Sequence, residues 1–355
     1  MRFEVLREYP DRETKDKWDR FLSRVSFPSH YSAPAYFREP FWKDKMPFAV
    51  LVFDDSNEIT AVATGLSLGS GIQCGMFVRP QVAIAPGDGD SGSLGLLFDG
   101  FRAAGSKGLS EITLFSWEPI PGLQDLGFSE RISEGEERTV VLDLSVGADE
   151  IFSSFSPSRR NNLRKAMKRS HLEIADLSSE DELRELYPIH AAWCRTKSIA
   201  PTPYDDLKCA WQLKENRKIL VAKHEGRVIA ASYFRFSRGG VVEYAGNNSD
   251  PEFLHLKPND LLMWESIKWA CDSGFPKFSM GGSHTFLQRF GGEIVNTYRY
   301  QVDLSWLKTN RLKNNAKSLF LGLYRAIPND LRQKAKRHLG IRSGSINPDS
   351  SASKD

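Results

Sequence analysis

The sequence predicts an α/β (α+β) fold of two tandem units, each a mixed central sheet flanked by helices, followed by a basic helical C-terminal tail. Three observations predict it. One hairpin pattern occurs twice in the same order of neighbouring elements. The length of 355 residues exceeds one ordinary core. Basic charge is concentrated at the C-terminus.

The first hairpin is Phe48–Asp54 (FAVLVFD), the turn DSNE and Ile59–Leu68 (ITAVATGLSL). The second is Ile219–His224 (ILVAKH), the turn EGR and VIAASYFRF ending at Phe236. Both join an apolar strand through a charged turn to a strand rich in small residues. Each follows helical sequence, around Trp18–Leu22 in the first half, and Asp181–Thr196 with Tyr204–Glu215 in the second. Each also precedes a helix and a strand: Ser93–Ala104 and Glu111–Phe115, then Asp260–Asp272 and Lys277–Met280. In the second half Val241–Tyr244 reads as a further strand. A shared order over about 150 residues predicts duplication of a domain-sized unit. The boundary falls near Ala148, after the strand Thr139–Leu144 (TVVLDL). This gives domains 1–148, 149–304 and 305–355. Asp149–Phe155 reads as a short helix, and Pro157–Ser170 as a longer one, with Ser156 as its cap and Pro157 at its first position.

Composition excludes several classes. Cys74, Cys194, Cys209 and Cys271 are scattered and form no C-x-x-C pair, which argues against a zinc site or a disulfide framework and for a reducing compartment. No histidine pair has metal-ligand spacing, so no metal is expected. The start, MRFEVLREY, has no apolar signal core, and no run of about 18 apolar residues appears, so the expected location is cytoplasmic. Net charge is +3 overall. Ser305–Arg342 carries ten Lys or Arg against the single acid Asp330, a net +9, and the residues after Arg342 add −1. Residues 1–304 are therefore left at −5. An acidic body argues against a nucleic-acid-binding core, DNA included, and leaves open an electrostatic role for the tail alone. There, AKSLFLGLYRAI is stopped by Pro328, and a basic helix, Asp330–Leu339, follows. Leu319, Phe320, Leu323 and Tyr324 beside Lys317 and Arg325 are open to two readings: peripheral contact of 312–342 with an anionic membrane face, or packing on the body. The last dozen residues are small and polar and are expected to be disordered.

Four stretches carry candidate chemistry. The helix from Pro157 holds Arg159, Arg160, Arg164, Lys165, Lys168 and Arg169 without an acid. Arg159 and Arg160 extend the apolar stripe of Leu163, Ala166 and Met167, so they are candidates for a phosphate or carboxylate contact at a helix start. A solvated basic helix is the plainer alternative. Val241–Asn248 (VVEYAGNN) offers Glu243 as a general base and Tyr244 as a hydrogen-bond donor, on opposite faces of a strand. An exposed glutamate and a core tyrosine are the alternative. The helix after HLKPND, capped by Asn259 or Asp260, begins where an anion can meet backbone amides, although no Q/R-x-x-G-x-G/A loop precedes it. In GGSHTFLQRFGG, the glycines permit close backbone approach to a ligand. Phe286 and Phe290 are candidates for a wall, Arg289 for an anion contact, and Gln288, Ser283 and His284 for substrate contacts. Ser283 and His284 are neighbours and do not form a triad. A structural turn histidine is the alternative for His284.

RRNNLRKA at Arg159–Ala166, the hairpin GRVIAASY, LKPNDLLMWESIKWA and FLQRFGG together resemble the Fem-like (FemAB-type) branch of the GNAT N-acyltransferase superfamily. That branch includes peptidoglycan bridge aminoacyl ligases and exopolysaccharide-linked acyltransferases. The resemblance covers about residues 150–302, and the first half looks like the degenerate partner domain of such proteins. It implies two GNAT-like domains with a cleft between or beside them. The implied activity is N- or O-acyl transfer to a cell-envelope or polysaccharide precursor, small or lipid-linked, with acyl-CoA or aminoacyl-tRNA as donor. Positioning and oxyanion donors supply the catalysis. The family element F-K-x-x-F-G has Leu287 at its lysine position here, and an apolar side chain cannot stabilise an oxyanion. Arg289, two residues on, is the candidate replacement. The alternative is a non-catalytic binding module for an anionic glycan precursor.

Overall fold

The computed structural model describes residues 1–42, 45–87, 91–169 and 171–306. The chain begins with β1 (Arg2–Leu6), α1 (Arg12–Leu22) and three short 3-10 helices between His30 and Trp42. Then come β2 (Met46–Phe53), β3 (Ile59–Leu68), β4 (Gly71–Met76), β5 (Arg79–Pro80), β6 (Val82–Ile84), α2 (Ser91–Ala104), β7 (Glu111–Ser116) and β8 (Ser129–Ile132). The second series is β9 (Thr139–Asp143), α3 (Ala148–Ser154), α4 (Pro157–Arg169), β10 (Glu173–Asp176), α5 (Glu180–Thr196) and α6 (Tyr204–Gln212). It continues with β11 (Arg217–His224), β12 (Arg227–Phe236), β13 (Val241–Ser249), α7 (Pro258–Asp272), β14 (Lys277–Ser279), α8 (Thr285–Gln288), β15 (Glu293–Val295) and β16 (Tyr298–Asp303). The predicted tail helices, its disordered end and the membrane contact through 312–342 lie outside the described residues. Among the described residues no helix is long and apolar enough to cross a membrane.

Both predicted hairpins form, as β2–β3 and β11–β12. The second turns through Glu225 and Gly226, both at positive φ, the geometry that tight hairpins favour. β2 is a nearly continuous apolar run because its sheet is covered on both faces. Phe48, Val50 and Val52 pack with Leu94, Leu97 and Phe101 of α2, while Ala49, Leu51 and Phe53 pack with Trp18, Phe21 and Leu22 of α1. Gly100 lets α2 lie on Val50, since a Cβ there would come within 2.2 Å of the valine methyl. The second sheet is built alike. Leu220, Ala222 and Ala230 face Leu261, Leu262 and Met263 of α7, and Ile219, Val221 and Ala231 face Leu183, Leu186 and Ile189 of α5.

The two sheets repeat one strand order, β1-β2-β3-β4-β7-β16-β8 and β10-β11-β12-β13-β14-β9-β15, with β5 and β6 off the first path. In each, a helix links the parallel central pair: α2 between β4 and β7, α7 between β13 and β14. The units also exchange a strand. β16, late in the chain, lies antiparallel between β7 and β8 of the first sheet, and β9, which precedes residue 148, lies antiparallel between β14 and β15 of the second. Two strands thus cross the boundary placed at 148. Tyr300 and Val302 belong to the first core, and Val140 and Leu142 to the second.

The exchange makes the units interdependent. Tyr300 is fully buried in the first core, and its hydroxyl accepts the Ile120 N–H at 2.8 Å. Tyr300→Ala is expected to cost about 3–5 kcal/mol, the range for deleting a buried aromatic. It should also strip hydrogen-exchange protection from Ile112–Leu114, nearly two hundred residues earlier. Protection lost only near residue 300 would contradict this reading.

Candidate active site

The second sheet opens at its centre. β13 pairs with β14 over only Val241–Glu243. Beyond Glu243 it continues to Ser249, paired to β12 on one edge alone. A bulge at Ala245, between the Tyr233–Gly246 and Phe234–Tyr244 pairs, turns it further. Gly281, at φ 65°, sits against the Tyr244 carbonyl, where a Cβ would come within 2.3 Å. The α7 start lies at the far end of this free edge, tied to it by the Ser249 hydroxyl, which donates to Asn259 Oδ1 at 2.6 Å. α7 begins without a side-chain cap. Lys257, left-handed at φ 59° and exposed, takes the cap position in place of the expected Asn259 or Asp260.

Asp260 has another role. Its carboxylate accepts from Arg159 Nη1, and both side chains are buried. The guanidinium lies against the rings of Phe286 and Phe290, 4.4 and 4.5 Å from their centroids, and the two rings meet each other edge to face. Burial pushes Arg159 down and Asp260 up, each against the attraction of its partner. Arg159 is thus a clamp joining α4, α7 and α8, and the phenylalanines wall the arginine. It also neutralises an acid in the first turn of α7, where a negative charge would oppose a bound anion.

The other basic residues of α4 divide. Arg160 Nη1 donates to the Ser153 and Phe155 carbonyls and so closes the end of α3. Arg164 is exposed, with its guanidinium 5.3 Å from the Phe152 ring. The Ser156 hydroxyl accepts the Arg159 N–H, the predicted cap. In the glycine-rich stretch, Ser283 is buried and donates to the Gly135 carbonyl. His284 is exposed, caps α8 and stacks on Phe286. Gln288 donates to the Ser283 carbonyl. The Arg289 side chain is exposed, and its carbonyl accepts the Ser156 N–H. Leu287 is core, 2% exposed. The glycines expected to admit a ligand pack instead on protein: Gly291 on Ser154, Gly292 on the Val141 carbonyl.

Glu243 and Tyr244 part to opposite faces, as the strand period requires. Tyr244 packs on Phe234, half-buried, and burial pushes its phenol up. Glu243 is buried at the seam between the units. Its Oε1 accepts from Arg79 Nε at 2.6 Å and lies 3.5 Å from Arg235 Nη1, while its Oε2 has no hydrogen-bond partner among the described residues. Tyr31 stands beside both arginines. Deeper in the seam, Glu39 accepts from Arg217 and is bonded to His30, whose other ring nitrogen meets Asn216. Sequence reasoning missed Arg79, Arg235, Tyr31 and Glu39. Arg235, an arginine inside the apolar run YFRF, was the one local signal. A separate cavity of about 540 Å³ opens beside β6 and the end of β7, lined by Phe27, Pro80, Ile84, Pro86, Trp117 and Pro119 among others. Among the described residues no cluster of His, Cys, Asp or Glu has the makings of a metal site.

Residues 144–294 match the family described as an acetyltransferase (GNAT) domain. A search of curated protein sequences finds no match. Among solved structures, FemX superposes with a TM-score of 0.69 at 12% identity, over 85% of this chain and 97% of that one. L-PGS from Bacillus licheniformis gives 0.55 at 15% identity, over 86% and 96%. A tandem GNAT protein from the clavulanic acid biosynthesis pathway gives 0.52 at 11%, over 85% and 99%. Residues 144–294 are therefore similar to a GNAT domain, and the chain shares its fold with these three structures.

Two outcomes follow from the buried charges. Arg159→Met leaves Asp260 buried and unpaired and is expected to cost about 3–5 kcal/mol in urea unfolding, most of it recovered when Asp260→Leu is added. A double variant no better than the single one would refute the pairing. Burial favours protonated Glu39, but His30 and Arg217 outweigh it and hold the carboxyl at about 2, against 4.5 for a free glutamate. Between those values the unfolded chain binds the extra proton, so stability falls as pH drops through that window. Glu39→Gln should flatten the decline of thermal midpoint there, and an unaltered slope would exclude Glu39 as its source.

Proposed function

We propose that the protein is an N- or O-acyltransferase that moves an acyl or aminoacyl group from acyl-CoA or aminoacyl-tRNA to a cell-envelope or polysaccharide precursor. The observation that carries this reading is the parting of β13 from β14 above the start of α7. A strand with one free edge offers main-chain hydrogen bonds to an extended, amide-bearing ligand. At its far end, the uncapped helix start and exposed Lys257 favour a phosphate, helped by the neutralisation of Asp260. The glycine nest of a Q/R-x-x-G-x-G/A loop is missing, Pro258 has no N–H, and the Asp260 and Leu261 amides already donate to the Lys257 carbonyl, so the contacts fall to the Asn259 N–H and Lys257. The acceptor approaches from the face bearing Glu243. Its amine or hydroxyl attacks the acyl carbon, the thiol or ribose oxygen of the donor leaves, and Glu243 Oε2 takes the nucleophile's proton. Backbone N–H groups on the free edge are placed to meet the developing oxyanion.

The cell-envelope acceptor is supported by the likeness to FemX and to a putative lysylphosphatidylglycerol synthetase from Agrobacterium fabrum, which has a TM-score of 0.56 at 12% identity. The basic segment 312–342 would bring the enzyme to an anionic membrane face, where lipid-linked precursors reside. One observation favours a second reading, a binding module for an anionic glycan precursor: Leu287 stands where the family element has lysine, and it is buried.

Transfer of label from acetyl-CoA and from aminoacyl-tRNA into a precursor pool separates the two. Transfer from one donor is expected, with Glu243→Gln lowering kcat by about 10²–10⁴-fold. An unchanged rate in that variant would remove Glu243 from the chemistry. Binding of the precursor without transfer from either donor would leave the binding module.

A further inference from the structure

The seam between the units encloses more positive charge than negative. Arg79 of β5, Arg217 of β11 and Arg235 of β12 meet two carboxylates, Glu39 and Glu243. Burial pushes His30 down, against the pull of Glu39, and so disfavours its charged form. Arg79 is matched to Glu243, and Arg217 to Glu39. Arg235 is left over. It stands 3.5 Å from an oxygen that Arg79 already holds, and its Nε and Nη1 are buried without a hydrogen-bond partner. Beside it the Nε of Arg217, whose side chain is 8% exposed, is also without a partner. A buried cation with unmet donors destabilises the protein, and an apolar side chain of similar size would cost less. A further anion would meet these donors and balance the charge. The surplus is one charge, which matches a monoanion, and a guanidinium fits a planar carboxylate.

Arg235 pairs directly opposite Glu243 in the β12–β13 ladder, so the two share a sheet face at the last paired position before the centre opens. Tyr31, from the first unit, presents its ring 5.5 Å from Arg235 and 5.8 Å from Arg79. The Arg79 side chain is 25% exposed, so the cluster reaches solvent there. We propose that Arg235, flanked by Arg217 and Tyr31, is a subsite for a carboxylate on the acyl acceptor, set beside the carboxylate that receives the nucleophile's proton. The acceptor is then an amine or hydroxyl compound bearing a free carboxylate, of the amino-acid or peptide C-terminus class. Its assignment to the acceptor rests on the transferase reading, whereas the anion site itself does not.

The test uses the full chain with N-acetylglycine as the carboxylate probe and N-acetylglycinamide as its neutral control, at constant ionic strength. Thermal midpoint and calorimetric binding are followed for the wild type, Arg235→Met and Arg235→Gln. The wild type should show saturable stabilisation by N-acetylglycine and none by the amide. Both variants should bind the probe at least tenfold more weakly, and without probe should unfold at or above the wild-type midpoint, because a buried surplus charge has been removed. A structural arginine would give the reverse: variants that melt earlier and keep any response to the probe. No saturable response in the wild type, or equal response to the amide, also overturns the proposal. Carboxylate binding that depends on Arg235 without acyl transfer leaves the site intact and counts against the transferase reading alone.

Discussion

The reciprocal exchange of β9 and β16 is the constraint on which the rest depends. Each exchanged strand lies inside the other unit's sheet, with ladder partners on both edges. Withdrawing β16 would leave β7 and β8 with unpaired backbone groups and would remove Tyr300 and Val302 from the first core. Withdrawing β9 would do the same to β14 and β15 and to the core around Val140 and Leu142. Neither sheet is complete without a strand encoded in the other half of the chain. The relative placement of the units is therefore set by main-chain hydrogen bonds and shared cores rather than by side-chain contacts at a loose interface. That rigidity holds Arg79, from one unit, at 2.6 Å from Glu243 of the other.

One repeated strand order carries two different clefts. Both sheets have a parallel central pair joined by a helix. In the first, the space beside β6 and β7 is lined mainly by proline and aliphatic side chains. In the second, the corresponding space has a free strand edge, a helix start freed of its negative charge by Arg159, and a carboxylate on the opposite face. Apolar walls suit the body of a ligand, while fixed charges and backbone donors suit a reacting centre. The difference between the two clefts follows from side chains on a common scaffold.

Most of the fold was legible in the sequence, because periodicity and turn chemistry are local. The two hairpins, the boundaries of α5 and the Ser156 cap all follow from adjacent residues. The strand exchange was not legible. TVVLDL announces a strand, but nothing in its own pattern says which sheet it joins, and Tyr298–Asp303 is not among the strands expected from the sequence at all. The site was partly legible for the same reason. Arg159 stood out by extending an apolar stripe, yet its partner Asp260 lies 101 residues away, and the sequence offered that acid as a helix cap. Phe286 and Phe290 were legible as a wall, though what they enclose is the arginine. Arg79, Tyr31 and Glu39 carried no local mark, since their importance comes from the seam, which exists only in the folded tandem.

An acyl donor lying along the free edge of β13, with its charged end at the α7 start, would shield the amides there. Hydrogen exchange of the amides of Tyr244–Ser249 and Asn259, with and without acetyl-CoA or aminoacyl-tRNA, tests it most directly. Slowed exchange at these amides with one donor is expected, while the amides of β2 and β3 in the first sheet stay unchanged. Unaltered exchange along Tyr244–Ser249 with both donors, or protection confined to the first unit, would contradict it.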